Sequence, residues 1–289
     1  MFLRFLILTS LAFLVSLSHV FAEELRGRVV EVYDGDTFVL ATGEKVRLLD
    51  VNTPEVGHRG RIDEPLAQAA RGFTVGMISG SEVRVVLGAK RMDKYKRYLG
   101  QVYLPDGQWL NGELVRTGLA HVYSFADNAD RVVDLLPLER LARLEKLGLW
   151  STTRWGVREA LDCCPAEDIG RFMVVQGVVK NVVETKERWH FNFGVRPTGP
   201  NTTPNPDNLE PWQRDFSFYI GKRDLKWFKR AGIDNVAGMY QGRHVLVRGF
   251  LEPVNGVLVR VTHPAQIELL AQVSGTVPLG QPLRQLRKF

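Results

Sequence analysis

The chain has 289 residues, of which 45% are hydrophobic and 24% charged. This is an ordinary globular composition, long enough for two domains, and it excludes collagen-like, wholly disordered and multi-spanning architectures. The net charge of +6 favours polyanionic partners such as nucleic acid or anionic lipid, although many soluble proteins are mildly basic.

At the N-terminus, Arg4 precedes an apolar run from Phe5 to Leu17, and Val20-Phe21-Ala22 leads into Glu23-Glu24. A charged start, a short apolar stretch and a small residue before a polar boundary form the pattern of a secretory signal, with cleavage expected after Ala22. The run is short for a membrane-spanning helix, which needs about 20 apolar residues. An uncleaved N-terminal anchor is the alternative. In either case the body of the protein is expected beyond a membrane, secreted or periplasmic, with no stable membrane insertion beyond the leader.

Residues 25–50 predict a meander of three antiparallel strands. Val30 and Val32, Phe38 and Leu40, and Val46 and Leu48 alternate with other residues. Asp34-Gly35-Asp36 breaks the first run, and Thr42-Gly43-Glu44 is a hairpin turn signal. Residues 63–78 predict a helix with Asp63 as cap, Pro65 in its first turn, and Ala67, Ala70, Phe73 and Met77 at helical spacing. Strands follow at 83–87 and 99–104, and helices at 110–117 and 135–147, stopped by Gly118 and Gly148. Five or so strands with interspersed helices suggest a small α+β barrel.

A second block, 169–271, has strand candidates at 172–183, 189–193, 216–220, 244–251 and 257–261, with a helix at 223–231. Residues 156–168 read as a linker, 196–211 as an exposed loop and 272–289 as a basic tail. Gly177, Gly249 and the Asn255-Gly256 turn suit a second small β-barrel. Its pattern resembles OB-fold nucleic-acid-binding modules, without a diagnostic motif. Trp189, His190, Phe191, Phe193, Arg214, Phe216, Phe218 and Tyr219 interleave aromatic and basic character. Such a surface can stack bases, but period-two aromatics in strands more often face a core. Cys163 and Cys164 are the only cysteines, too few for a disulfide framework or a four-cysteine zinc site. They are expected as linker thiols without a catalytic role, with a vicinal disulfide or an intermolecular bridge open in an oxidising compartment.

Four segments carry chemistry: Asp34-Gly35-Asp36-Thr37, Arg47-Leu48-Leu49, Asn52-Thr53-Pro54-Glu55 and Asp93-Lys94-Tyr95-Lys96-Arg97. Phosphodiester hydrolysis needs a carboxylate to deprotonate water, guanidiniums to meet charge on the phosphoryl oxygens, and commonly a hard cation with oxygen ligands. Each segment alone is an ordinary turn or strand, but together they supply every part.

In this order, with Asn111, Glu113-Leu114-Val115-Arg116, Gly118-Leu119-Ala120 and a closing Gly148-Leu149-Trp150-Ser151, the first half resembles the staphylococcal nuclease (thermonuclease) family. The resemblance implies an OB-type five-stranded barrel with helices over 23–155, and calcium-dependent cleavage of DNA and RNA to 3′-phosphates. It implies Glu55 as general base, Arg47 and Arg97 as phosphate-binding and transition-state-stabilising groups, and Lys94 and Tyr95 as contacts to a terminal phosphate. Asp36 and the Thr53 carbonyl would bind calcium, together with Asn52, where the family commonly has Asp. An amide there keeps the oxygen and loses the charge, so weaker or altered metal binding is expected. Asp50, two residues away, would share a face with Asn52 if the strand continued. Lys96 stands where the family often has glycine. An alternative reading is a nuclease-fold nucleic-acid-binding protein of the cell envelope whose metal site has decayed.

Overall fold

The computed structural model describes residues 23–58, 60–164, 166–194, 216–253 and 257–271. The expected leader, the 196–211 loop, the Asn255-Gly256 turn and the basic tail lie outside the described residues.

The first unit runs β1 (Glu24–Val32), β2 (Thr37–Leu40), β3 (Lys45–Leu48), β4 (Val51–Asn52), α1 (Ala67–Ile78), β5 (Glu82–Met92), β6 (Tyr98–Tyr103), α2 (Leu110–Arg116), β7 (His121–Val122) and α3 (Val132–Leu144). β1 pairs antiparallel with β2 and β5, β2 with β3, and β5 with β6. A parallel β3–β6 pair closes the ring. This is the expected five-stranded barrel. Its interior is filled by the period-two residues Phe38, Leu40, Val46, Leu48, Val83 and Val85, all buried, with α2 packing Leu110, Leu114 and Val115 into the same core.

Four local expectations are corrected. Val30 is exposed, and Val29 and Val32 are buried, because the β1–β2 register slips between Val29 and Glu31 and a bulge reverses the facing of the strand. Asp63 does not cap α1. Its carboxylate accepts from the Gly57 amide and Gln68, and the chain turns through a left-handed Leu66 before the helix begins. α3 lies about one turn earlier than expected, because Leu147 N–H closes back onto the Ala142 carbonyl and Lys146 adopts a left-handed conformation. Asp50 also has a positive φ, 62°, so the strand breaks there. Its side chain turns to Gln101 rather than sharing a face with Asn52. At the end of α2, Gly118 has φ +71°, and an added Cβ would stand 2.3 Å from the Leu147 carbonyl oxygen, so only glycine fits.

The second unit contains β8 (Arg158–Glu159), β9 (Phe172–Val178), β10 (Asn181–Glu184), β11 (Arg188–Asn192), β12 (Phe216–Gly221), α4 (Leu225–Arg230), α5 (Val236–Tyr240), β13 (His244–Pro253), β14 (Val257–Val261) and β15 (Ile267–Leu269). The run expected as one strand over 172–183 is broken at Val179-Lys180. β9 then pairs with β13 and β10 with β11, so a single stretch of chain joins opposite sides of the curled sheet. β11–β12 is antiparallel, β12–β14 parallel and β13–β14 antiparallel, which repeats the pairing order of the first barrel. Phe191, Phe193, Phe216 and Phe218 are buried in this core, as the core reading of the aromatics anticipated. The segment expected as a bare linker carries β8, which pairs with β9. Cys163 and Cys164, expected as linker thiols, are instead bonded to each other and buried in the second core. Among the described residues, no helix is long and apolar enough to cross a membrane.

The units share a sealed interface. Trp150, Phe172, Val174 and Leu246 pack together with Ala142. Arg248 of β13 is 1% exposed and reaches Glu139 of α3 at 2.6 Å and Glu268 of β15 at 3.3 Å, and Arg143 adds a third ion pair to Glu268 at 3.0 Å. Such a buried network favours one register of the two surfaces more than it adds stability. Glu139 also accepts the Val122 amide at 2.8 Å, fixing β7, which pairs with β4.

Two histidines are sealed in this interface. His121 contacts the Trp155 carbonyl at 3.1 Å, and His263 contacts Ser124 Oγ at 2.8 Å. Burial pulls each imidazole down to about 4, against the smaller opposing effects of Glu139 on His121 and of Gln266 on His263. Each stays neutral in the fold while the unfolded chain takes up a proton below about pH 6.5. Their contribution is therefore complete above that pH and is lost as pH falls toward 4. His263→Gln is expected to lose less stability than wild type between pH 7 and 4.5, by roughly 2–3 kcal/mol, in paired urea denaturations. Parallel losses in the two proteins would contradict this.

Candidate active site

Asp36 is the centre of the site. The turn Asp34-Gly35-Asp36 between β1 and β2 drops its carboxylate into the protein, where it is 1% exposed. Oδ2 accepts from Thr53 N and Thr53 Oγ1, both at 3.0 Å, and pairs with Arg47 Nη2 at 3.0 Å. Oδ1 accepts from Thr37 Oγ1 at 3.1 Å. Asp36 thus ties the β2 entry, the β3 arginine and the loop after β4 to one group.

Arg47 is itself fixed. Nη1 donates to the carbonyls of Leu48 and Val51, at 2.8 and 3.0 Å, and Nη2 to Asn52 Oδ1 at 3.3 Å. A guanidinium held at this many points loses little freedom when it meets a phosphate. Asn52, where a charge was expected, acts here as an acceptor from Arg47. Glu55 follows on an exposed loop, its amide donating to Glu64 Oε2 at 2.9 Å. Its side chain reaches solvent, yet the crowding protein raises its carboxyl above the usual range, helped by Asp36 and opposed by Arg47. Asp34, buried beneath, is pushed up to about 8 by burial and by the Asp36 and Glu55 carboxylates.

The second arginine comes from the β5–β6 turn. Asp93 Oδ1 accepts the amides of Tyr95 and Arg97, at 2.8 and 2.9 Å, and Oδ2 accepts Arg97 Nε at 2.7 Å. Burial would raise Asp93, but these bonds from Arg97 outweigh it and hold the carboxyl below its usual range. Lys96 has φ +62°, which explains why glycine suits that position. Arg97 Nη1 donates to Thr37 Oγ1 at 3.3 Å, so both arginines connect to Asp36. Lys94 lies over the Tyr95 ring at 4.9 Å, and Tyr95 is 67% exposed.

Arg47, Asn52, Glu55, Lys94, Tyr95 and Arg97 line one cavity of about 630 Å³. Asp36 and Thr53 are buried and do not line it, but Asp36 pairs with Arg47 and accepts from Thr53. The eight residues named from sequence are therefore brought together. Sequence reasoning left out Asp34 as a site residue, although its motif was in view. It also passed over Tyr123, Phe125 and Phe250, which line the far side. The signal for the first two was an aromatic pair soon after Gly118-Leu119-Ala120, and Phe250 had only its place in a strand.

Comparison with known proteins agrees with this geometry. The family model of the staphylococcal nuclease homologues matches residues 45–152, beginning at β3 and ending before the second sheet. An uncharacterized endonuclease of Escherichia coli is 36% identical over 135 residues, 46% of this chain and 81% of that protein. Thermonuclease of Staphylococcus intermedius is 30% identical over 125 residues, 42% of this chain and 74% of that protein. The chain belongs to the staphylococcal nuclease homologue family, a family of phosphodiester-cleaving nucleases.

Asp93 orders the turn that carries Arg97, so Asp93→Asn is expected to keep the fold and lose activity. A drop of about tenfold or more in kcat/KM on a DNA substrate is expected, since small misplacements of an oriented group are costly, with the thermal midpoint little changed. Full activity in this variant would mean that Arg97 is held by other contacts.

Proposed function

We propose that this protein is an exported, metal-dependent nuclease that hydrolyses phosphodiester bonds of DNA or RNA, with calcium as its cation. The observation that carries this reading is the joining of Arg47 and Arg97 through Asp36 and Thr37 on the cavity that Glu55 faces. Arg47 and Arg97 bind the phosphoryl oxygens and meet the charge that grows on them. Glu55 takes a proton from water, and the water oxygen forms the new bond to phosphorus. The P–O5′ bond breaks and the leaving 5′-oxygen takes a proton from solvent water, giving a 5′-alcohol and the 3′-phosphate that the family resemblance implies. Lys94 and Tyr95, at the cavity rim, suit a terminal phosphate.

A hard cation takes oxygen ligands, and the side-chain oxygens available to it here are those of Asp36 and Asn52, which in this structure face Arg47. Burial, and after it the Asp36 and Glu55 carboxylates, push Asp34 up to about 8, and the carboxylate part of that is the kind of repulsion a divalent ion relieves. Among the described residues, no group of three or more His, Cys, Asp or Glu side chains is placed to hold a metal ion. The ion would be held by the Asp36 carboxylate, the Asn52 amide oxygen and the Thr53 carbonyl, with water. When bound it supplies positive charge for the phosphate. Asn52 makes this site one charge poorer than the family pattern, which supports weaker calcium binding.

The repeated pairing order supports reading the second unit as an OB-fold-like domain, with boundaries near 169–271. The leader pattern of residues 1–22 supports secretion or a periplasmic location.

The test is cleavage of single-stranded DNA by the protein without residues 1–22. Cleavage is expected with calcium and is expected to stop with chelator. Glu55→Gln should lose at least about 100-fold in kcat while keeping its thermal midpoint. If wild type and Glu55→Gln are equally inert with calcium, magnesium and manganese, the protein is instead a nucleic-acid-binding relative without activity.

A further inference from the structure

The far wall of the cavity is aromatic, and the second unit completes it. Phe125 and Tyr123 follow β7 in the first unit, their ring centroids 4.9 Å apart. Phe250 of β13 meets Tyr123 edge-on at 5.4 Å. Behind them, Phe172 is 2% exposed and touches Tyr123 at 5.3 Å and Phe250 at 5.6 Å. Phe172 and Phe250 are register partners across β9 and β13.

Two of these rings are not hidden. Phe125 is 48% and Phe250 41% exposed, and both line the cavity that holds Arg47, Glu55 and Arg97. Tyr123, half-buried, links the aromatic wall to the phosphate side, since it lines the same cavity as Arg47. Exposed phenylalanine is costly to leave facing water. A wall of rigid rings beside a pair of guanidiniums presents a flat apolar surface next to a phosphate-binding one, which is the composition of a nucleotide. A cavity of about 630 Å³ is also of the size that takes such a group.

The interface holds this wall in place. Arg248, two residues before Phe250, is locked to Glu139 at 2.6 Å, and Glu139 holds the Val122 amide next to Tyr123. Phe250 and Tyr123 are thereby braced by the same buried pair.

We propose that the second unit forms part of the active site, with Phe250 stacking an unpaired nucleobase of the strand whose phosphate is held by Arg47 and Arg97. This deepens the nuclease reading and rests on it for the identity of the ligand. A paired base within a duplex has no free face for Phe250, so the wall selects single-stranded substrate. One base on one aromatic ring is worth roughly five- to hundredfold in affinity.

The test uses the full chain with Phe250→Leu, which keeps apolar packing on Phe172 but removes the ring, and Phe250→Trp, which restores a stacking surface. Steady-state kinetics are measured on a single-stranded DNA oligonucleotide and on its duplex. Phe250→Leu is expected to raise KM for the single strand about tenfold, with kcat and the duplex KM little changed, and Phe250→Trp to return KM to the wild-type range. The same variants in a Glu55→Gln background report binding alone, by fluorescence anisotropy of the labelled oligonucleotide. Failure of the nuclease reading would appear as no cleavage by wild type, and the binding series would still decide the role of the wall. Equal single-strand affinity for wild type and Phe250→Leu, or a Phe250→Trp variant as weak as Phe250→Leu, would overturn the proposal.

Discussion

The site depends on one buried carboxylate. Asp36 is removed from water and satisfied by the Thr53 amide and hydroxyl, by the Thr37 hydroxyl and by Arg47. A buried charge persists only when it is paired and hydrogen-bonded on all sides. That requirement fixes three elements at once: the β1–β2 turn, the β3 arginine and the loop that leads to Glu55. The barrel supplies the rigidity for this. Thr37 and Arg47 are register partners across β2 and β3, so the two groups that touch Asp36 from the sheet cannot drift apart. What is left over is negative charge. Asp34 and Glu55 stand close to Asp36, and burial first and the neighbouring carboxylates second raise both carboxyls against the pull of Arg47.

The two units act as one body around this centre. Their interface is not a loose apolar contact, because Arg248, Glu139, Glu268 and Arg143 interlock within it. Removing any one partner would leave the others charged and buried, so the network penalises every alternative register. The path from Arg248 through Glu139 to the Val122 amide ends at β7, whose pairing with β4 carries Asn52. The second unit therefore supports the floor of the site through that path and reaches its rim through Phe250.

Much of this was legible in the sequence. Phe38, Leu40, Val46 and Leu48 sit at period two, and the barrel follows from them. The four chemical segments were readable because each combines residue types that hydrolysis needs. Other features were hidden for physical reasons. β4 and β7 have two residues each, too short to leave any period, and they exist only because distant segments meet. The bulge at Val29 and Glu31 inverts Val30 without a residue that announces it. Asp50 was placed beside Asn52 on the assumption of a continuing strand, and a left-handed backbone at Asp50 sends it to Gln101. Arg248 reads as a surface arginine in an alternating strand, and only the docking of two units buries it against Glu139. Phe250 was hidden for the same reason.

The most direct measurement is calorimetric titration of calcium into wild type, Asp36→Asn and Asn52→Asp. Charge count sets affinity at an oxygen-ligand site. The account expects measurable binding to wild type, about tenfold tighter binding on restoring the charge at position 52, and loss of binding on removing it at position 36. Equal affinities across the three proteins would contradict a cation held by Asp36 and Asn52.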